Sequence, residues 1–412
     1  MTKKYSRIRL PVITLAFVVM LAVAGVVAAL QLAKNPDYWL SGAGLVVAVI
    51  LPITAHVVRG KSNSSPGKLN KVTKELAAAV QDQWSRNVAR ITDPYPLEVP
   101  FSVMTTATVD PAAAQPSPPD RPIPVMDTWP SIRDQRGAGP LVLDGAFKDI
   151  ATVFTSDALH RRMVILGEPG SGKSMIAQWL TVELLKSHPE LGLVPVVLSL
   201  ATWDPDDPLE EWAAAEMAKT YPSLSTVVQA AGNMERTLAY QLISGNRVLM
   251  VLDGLDEMAR SNQPKALQRL SQFAQSGQHF VVTCRTEDYA RIVYQAGAPL
   301  AKTPVIALGP LEIDGVIEYL QETTLLQDSS AHRWDRILEY LVTEPDGPLA
   351  IAMTSPLVVW LVCANYSRPE TDPDELLAWG SAEEIIDFLL DGLVGAVSRS
   401  RRPGRAGRST GR

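Results

Sequence analysis

Gly167-Glu168-Pro169-Gly170-Ser171-Gly172-Lys173-Ser174 is the stretch of this 412-residue chain whose residue types and spacing suit them best to chemistry. Glycines let a backbone curl until consecutive amides point inward at anionic oxygens, so these eight residues predict a phosphate cradle. A helix starting under those oxygens adds its positive end. Lys173 supplies a mobile point charge for the β- and γ-phosphates of a nucleotide, and the Ser174 hydroxyl is suited to ligate Mg²⁺. Such a loop needs a strand before it and a helix after it. Met163-Val164-Ile165-Leu166 and the helix-compatible run from Met175 to Lys186 meet that need.

A second constellation follows at Val248-Leu249-Met250-Val251-Leu252-Asp253-Gly254-Leu255-Asp256-Glu257. The unbroken apolar run reads as a strand buried on both faces, as in a parallel sheet. An acid at the carboxyl end of such a strand sits where α/β sheets bind ligands, so Asp253 is the second expected metal ligand beside Ser174. Gly254 leaves room near the phosphates. Asp256 and Glu257 follow on the turn and are placed to polarise an attacking water.

Together these motifs resemble the NACHT family of STAND-type P-loop NTPases, in which a small residue after the first Asp and a second acidic pair are distinctive. The resemblance spans roughly residues 143–390. It extends to Phe280-Val281-Val282-Thr283-Cys284-Arg285, similar to the family's next strand with its sensor arginine, and implies that Arg285 lies near the γ-phosphate. Thr354-Ser355-Pro356-Leu357-Val358-Val359 resembles the segment whose proline packs near the nucleotide base, which implies that role for Pro356. Thr354 stands where that family has a glycine. Asp93-Pro94-Tyr95-Pro96-Leu97, after an amphipathic stretch, is similar to a motif of actinobacterial membrane-anchored NACHT proteins.

Composition narrows the rest. The formal charge is −6, so no global basic field argues for nucleic acid. Two cysteines, Cys284 and Cys363, and five scattered histidines give neither a disulfide framework nor metal spacing. No repeat of solenoid or propeller type is present. Near the N-terminus, Leu10 to Leu32 and Tyr38 to Val58 are apolar runs long enough to cross a bilayer, with Tyr38 and Trp39 at an interface position. Lys3, Lys4, Arg7 and Arg9 precede the first run, and Arg59, Lys61, Lys68, Lys71 and Lys74 follow the second. Positive charge on both outer flanks predicts a hairpin in the cell membrane with both ends cytoplasmic.

The expected organisation is a transmembrane hairpin over 1–60, a tether and amphipathic helix over 61–92 and a Pro-rich linker over 93–140. A nucleotide-binding α/β domain over 141–309 follows, then a helical lid over 310–397 and an Arg-rich disordered tail over 398–412. Leu69, Val72, Leu76, Val80, Trp84, Val88 and Ile91 give the amphipathic helix its apolar stripe, expected to pack on the main domain. Strands are expected near Met163–Leu166, Val194–Leu200, Val248–Leu252, His279–Thr283 and Pro304–Leu308, forming a parallel sheet in a three-layer sandwich. Helices are expected over Glu312–Thr324, Ala331–Thr343, Pro356–Asn365 and Ala382–Val397.

The reading is a membrane-anchored switch that binds and slowly hydrolyses ATP, or alternatively GTP, with Mg²⁺. The resemblance implies a homo-oligomer in the triphosphate state and a signalling partner. The competing reading is a nucleotide-bound scaffold that does not hydrolyse. A transporter ATPase is disfavoured because no Leu-Ser-Gly-Gly-Gln signature occurs. A small GTPase is disfavoured because Asn70-Lys71-Val72-Thr73 lacks the final Asp of a guanine-reading motif.

Overall fold

The computed structural model describes residues 66–91, 97–103, 144–156, 161–229, 235–300, 303–326, 331–366 and 370–400. The chain divides into two compact units, Met1–Ser64 with Gln229–Glu235, and Ser65–Val228 with Arg236–Arg412. The first lies almost wholly outside the described residues, and so do both expected membrane spans. Among the described residues no helix is long and apolar enough to cross a membrane.

The second unit is built on a seven-stranded sheet. Its strands are β1 (Pro100–Val103), β2 (Asp144–Ala146), β3 (Arg162–Gly167), β4 (Val194–Ser199), β5 (Val248–Asp253), β6 (Phe280–Arg285) and β7 (Val305–Leu308). The spatial order is β2-β1-β7-β3-β6-β5-β4, with β7 through β4 parallel. Strand β3, which carries the glycine loop, and β5, which ends in Asp253, are therefore separated by β6. Alternation sends Val164, Leu166, Met250, Leu252 and Val282 into one apolar cluster and Met163, Ile165, Leu249, Val251 and Val281 into the other. That two-sided burial explains the unbroken apolar runs.

Two expectations need correction. The sheet is mixed, because β1 pairs antiparallel with both β2 and β7. And the stretch 93–140 is not all linker: Val99 and Phe101 are buried, and Phe101 lies opposite Leu308 on one side and Gly145 on the other. Gly145 has a steric reason to lack a side chain, since a Cβ there would come within 3.2 Å of the Phe101 ring.

The helices in chain order are α1 (Pro66–Ile91), α2 (Ile150–Thr155), α3 (Lys173–Ser187), α4 (Leu209–Thr220), α5 (Leu238–Ser244), α6 (Gln263–Gln275) and α7 (Thr286–Ala296). After the sheet come α8 (Ile313–Leu326), α9 (Asp335–Thr343), α10 (Pro348–Met353), α11 (Pro356–Asn365) and α12 (Ala382–Ser400). Helix α10 and a 3₁₀ segment at Pro373–Ala378 fall where no element was expected. Helix α12 runs past 398 to Ser400, and the rest of the expected tail lies outside the described residues. The C-terminal helices share one apolar cluster with a sheet face: Leu349, Val359 and Leu389 join Ile165 and Val251.

Helix α1 packs along α3 and the edge strand β4, contributing Leu69, Leu76 and Val80 to the core. Polar ties reinforce it: Arg247 donates to Asn70 Oδ1 at 2.6 Å and the Tyr221 hydroxyl to Gln83 Oε1 at 2.7 Å. A single helix thereby covers an edge that would otherwise offer unpaired backbone groups.

Candidate functional site

The glycine loop leaves the end of β3 and enters α3 through Gly170 and Gly172, both in the left-handed region at φ 80° and 87°. Residues with a Cβ avoid that region, so the glycines are what allow the curl. Gly167 has a different reason: a Cβ there would lie 2.4 Å from Ser171 Oγ. Ser171 is buried inside the loop and its hydroxyl finds no hydrogen-bond partner among the described residues.

Lys173 starts α3, and its ammonium donates to the carbonyls of Gly167 at 2.7 Å and Glu168 at 2.9 Å. This holds the ammonium over the loop and leaves one N–H for a ligand. Burial pushes its pKa below the ordinary 10.5; Asp256 opposes that shift and Arg285 adds to it. Both directions follow from a cation held in a partly dry, mixed-charge cavity.

Ser174 Oγ donates to Asp253 Oδ1 at 3.1 Å across the gap between α3 and β5. Thr283 on the intervening β6 completes the arrangement: its hydroxyl donates to the same oxygen at 2.5 Å and accepts the Gly254 amide at 2.8 Å. Among the described residues no group of three or more His, Cys, Asp or Glu is clustered to hold a metal by itself. Ser174 and Asp253 form a different kind of site, two hard oxygens facing one cavity. Such a pair suits a small divalent cation that keeps water and substrate oxygens as its remaining ligands.

Beyond Asp253 the chain turns through Gly254, again left-handed at φ 80°, into a 3₁₀ turn over Leu255–Glu257. Glu257 folds back over that glycine so closely that a Cβ on Gly254 would sit 2.7 Å from Glu257 Cδ. The Glu257 pKa is raised above the ordinary 4.5, by burial first and then by the Asp253 and Asp256 carboxylates, with Arg285 and Lys173 opposing. Asp256 is engaged with Arg285. Its oxygens accept the Arg285 amide at 3.1 Å and meet Arg285 Nε at 3.0 Å.

These groups line a cavity of about 600 Å³. Of the residues singled out from sequence, Pro169, Gly170, Gly172, Lys173, Ser174, Asp253, Asp256, Glu257, Arg285 and Pro356 reach its wall. Gly167, Glu168 and Ser171 do not line it. Gly167 and Glu168 seat Lys173 through their carbonyls, and buried Ser171 fills the space above Gly167. Thr283, Asn87, Gln178, Leu357 and Trp360 also line the cavity and were not expected to. Thr283 stands in the quoted β6 motif, and its hydroxyl in an otherwise apolar strand was the available signal. Gln178 lies one turn beyond Ser174 on the helix that the loop itself opens, while Asn87, Leu357 and Trp360 sit on helices whose approach to the loop no local pattern encodes.

The C-terminal helices meet the loop directly. The Leu357 amide donates to the Gly170 carbonyl at 3.2 Å, and Ser355 Oγ donates to the same carbonyl at 3.3 Å. Pro356 opens α11 as a first-turn proline, a position that needs no N–H donor, and also faces Gly172. Thr354, in the place of the expected glycine, uses its carbonyl to accept the Leu311 amide at 2.8 Å.

A glycine loop between a buried parallel strand and a helix, with a serine–aspartate pair across the gap, defines a P-loop nucleotide-binding fold. Residues 161–325 match the family model of the NACHT domain, and this part of the chain is a NACHT-type P-loop NTPase domain. No curated protein matches the chain. The solved structure of C. elegans PCH-2 aligns at 12% identity with a TM-score of 0.28, over 62% of this chain and 66% of that chain, just under two thirds of its length.

Proposed function

We propose that the chain is a membrane-anchored signalling switch that binds ATP, with GTP as the alternative, and hydrolyses it slowly. The observation that carries this reading is the double hydrogen bond from Ser355 and Leu357 to Gly170. It ties the phosphate loop to the C-terminal helices, so a change in what the loop holds is felt by α11. Coupling of a γ-phosphate site to a packed helical element is how nucleotide switches work. The two apolar N-terminal runs support anchoring in the cell membrane with the nucleotide domain on the cytoplasmic side. A homo-oligomer in the triphosphate state and an unknown signalling partner belong to the same proposal.

In this reading the loop amides and Lys173 bind the β- and γ-phosphates, and Arg285 faces the terminal phosphate from the end of β6. Pro356 and Trp360 close the cavity on the lid side. Mg²⁺ held by Ser174 and Asp253 would neutralise phosphate charge. Thr283 fixes the Asp253 carboxylate for that purpose. Glu257, exposed and raised in pKa, orients the attacking water and draws its proton. Asp256 positions Arg285. The raised pKa and open face of Glu257 favour this over a scaffold that never hydrolyses.

The test is nucleotide binding and phosphate release by the full-length protein with Mg²⁺, beside Lys173→Ala. Loss of a charge-assisted contact should weaken ATP binding about ten- to a hundredfold. Equal binding by the two proteins would remove the site.

A further inference from the structure

Helix α1 precedes the family match, yet one of its residues, Asn87, reaches the nucleotide cavity. The helix runs the length of the sheet edge. Asn70 near its start is bonded to Arg247, the residue just before β5, while Asn87 near its end stands at the cavity formed by the carboxyl ends of β3, β5 and β6. The apolar residues Leu69, Leu76 and Val80 and the Gln83–Tyr221 hydrogen bond fix it there, so Asn87 is presented by a docked element.

The direction of approach identifies what Asn87 meets. Helix α1 packs on α3 and on β4, and β4 is the neighbour of β5, which carries Asp253. Ser174 and Gln178, one turn apart on α3, face the cavity together. Pro356 and Leu357 approach at Gly172 and Gly170. Helix α1 thus reaches the cavity beside the elements that carry Ser174 and Asp253, α3 and the β4–β5 pair.

Resting on the nucleotide reading above, we propose that Asn87 binds the terminal phosphate of a nucleoside triphosphate, its carboxamide N–H donating to a non-bridging oxygen. It is a residue that discriminates triphosphate from diphosphate, and it makes α1 part of the nucleotide site. A carboxamide suits the position: it donates to phosphate without adding a charge that would compete with Lys173 or Arg285.

The experiment is calorimetric titration of the full-length protein, wild type, Asn87→Ala and Lys173→Ala, with Mg²⁺ and either a slowly hydrolysed ATP analogue or ADP. Asn87 is exposed on a helix and alanine is the better helix former, so the variant should fold; a thermal melt checks this. The expected result is a loss of about tenfold in triphosphate affinity for Asn87→Ala with ADP affinity unchanged. Hydrogen exchange over residues 66–91 should slow with the analogue more than with ADP. Unchanged triphosphate affinity, or equal losses for both nucleotides, overturns the assignment. If Lys173→Ala abolishes binding while Asn87→Ala changes nothing, only this inference falls. If the wild type binds neither nucleotide, the reading beneath it falls as well.

Discussion

Arg285 grips both oxygens of the Asp256 carboxylate, its backbone amide on Oδ1 at 3.1 Å and its Nε on Oδ2 at 3.0 Å. The carboxylate is only 7% exposed, whereas the guanidinium side chain is 51% exposed. Two neighbouring acids that look equivalent in sequence are therefore unlike in structure: both line the cavity, but the Asp256 side chain is buried as a tie between the acidic turn and β6, whereas Glu257 is exposed. Glu257→Gln should keep nucleotide affinity and lower the rate of phosphate release by about a hundredfold or more. Asp256→Ala should lower thermal stability by about 1 kcal/mol, because Arg285 and its amide lose an acceptor but remain within reach of water. Single-turnover phosphate release beside thermal melts separates the two, and the reverse pattern would contradict the assignment.

The raised pKa of Glu257 carries a sign. A carboxyl whose folded pKa lies above its unfolded value stabilises the fold when protonated and loses that contribution as pH rises through the folded value. At neutral pH the charged form is the strained one, so Glu257→Gln should leave the melting temperature unchanged or slightly higher. Phosphate release by the wild type should fall on acidification with a midpoint above 4.5, the ordinary glutamate value. A pH–rate profile between 4 and 8, roughly the range over which a shifted carboxyl titrates, decides it.

Thr283 holds Asp253 and the Gly254 amide at once. Thr283→Val keeps the shape of a residue that is only 1% exposed, but leaves a buried amide without its acceptor, at about 1–3 kcal/mol. Among the described residues Asp253 then keeps only the Ser174 hydroxyl as a donor and is held less firmly. The expected outcome is a higher Mg²⁺ requirement in phosphate release, read as a rightward shift of the metal titration.

Gly254 combines a left-handed backbone with the close approach of Glu257. Gly254→Ala should cost about 1–2 kcal/mol from the backbone alone and also push Glu257 off its seat. Phosphate release should fall further than ATP affinity, because Lys173 and the loop amides are untouched. Comparing the turnover rate with the dissociation constant tests that split.

Much of the site was legible because its chemistry is local. The loop needs glycines at fixed offsets from Lys173, and the acid strand must be apolar up to Asp253; both constraints act within a few residues. Strand β1 was hidden for the opposite reason. Leu97, Val99, Phe101 and Val103 do alternate with Glu98, Pro100 and Ser102, but the run is short and set among prolines, and what completes it as a strand is pairing with Leu308 on one side and Gly145 on the other. Helix α10 is too short for a periodic stripe and is held by packing against α12. Asn87 and Trp360 belong to the cavity only because α1 and α11 dock where they do. The apolar stripe of α1 was legible as a face that packs on the main domain, but not that it would lie against α3 and β4.

The family match starts at residue 161, and a fragment cut there would lack α1, β1 and β2. Both margins of the sheet would then be raw: β4 without its helical sheath, and β7 without the strand that zips it closed. Such a fragment should self-associate through bare strand margins, so clumping seen with it would report the cut rather than nucleotide-driven assembly.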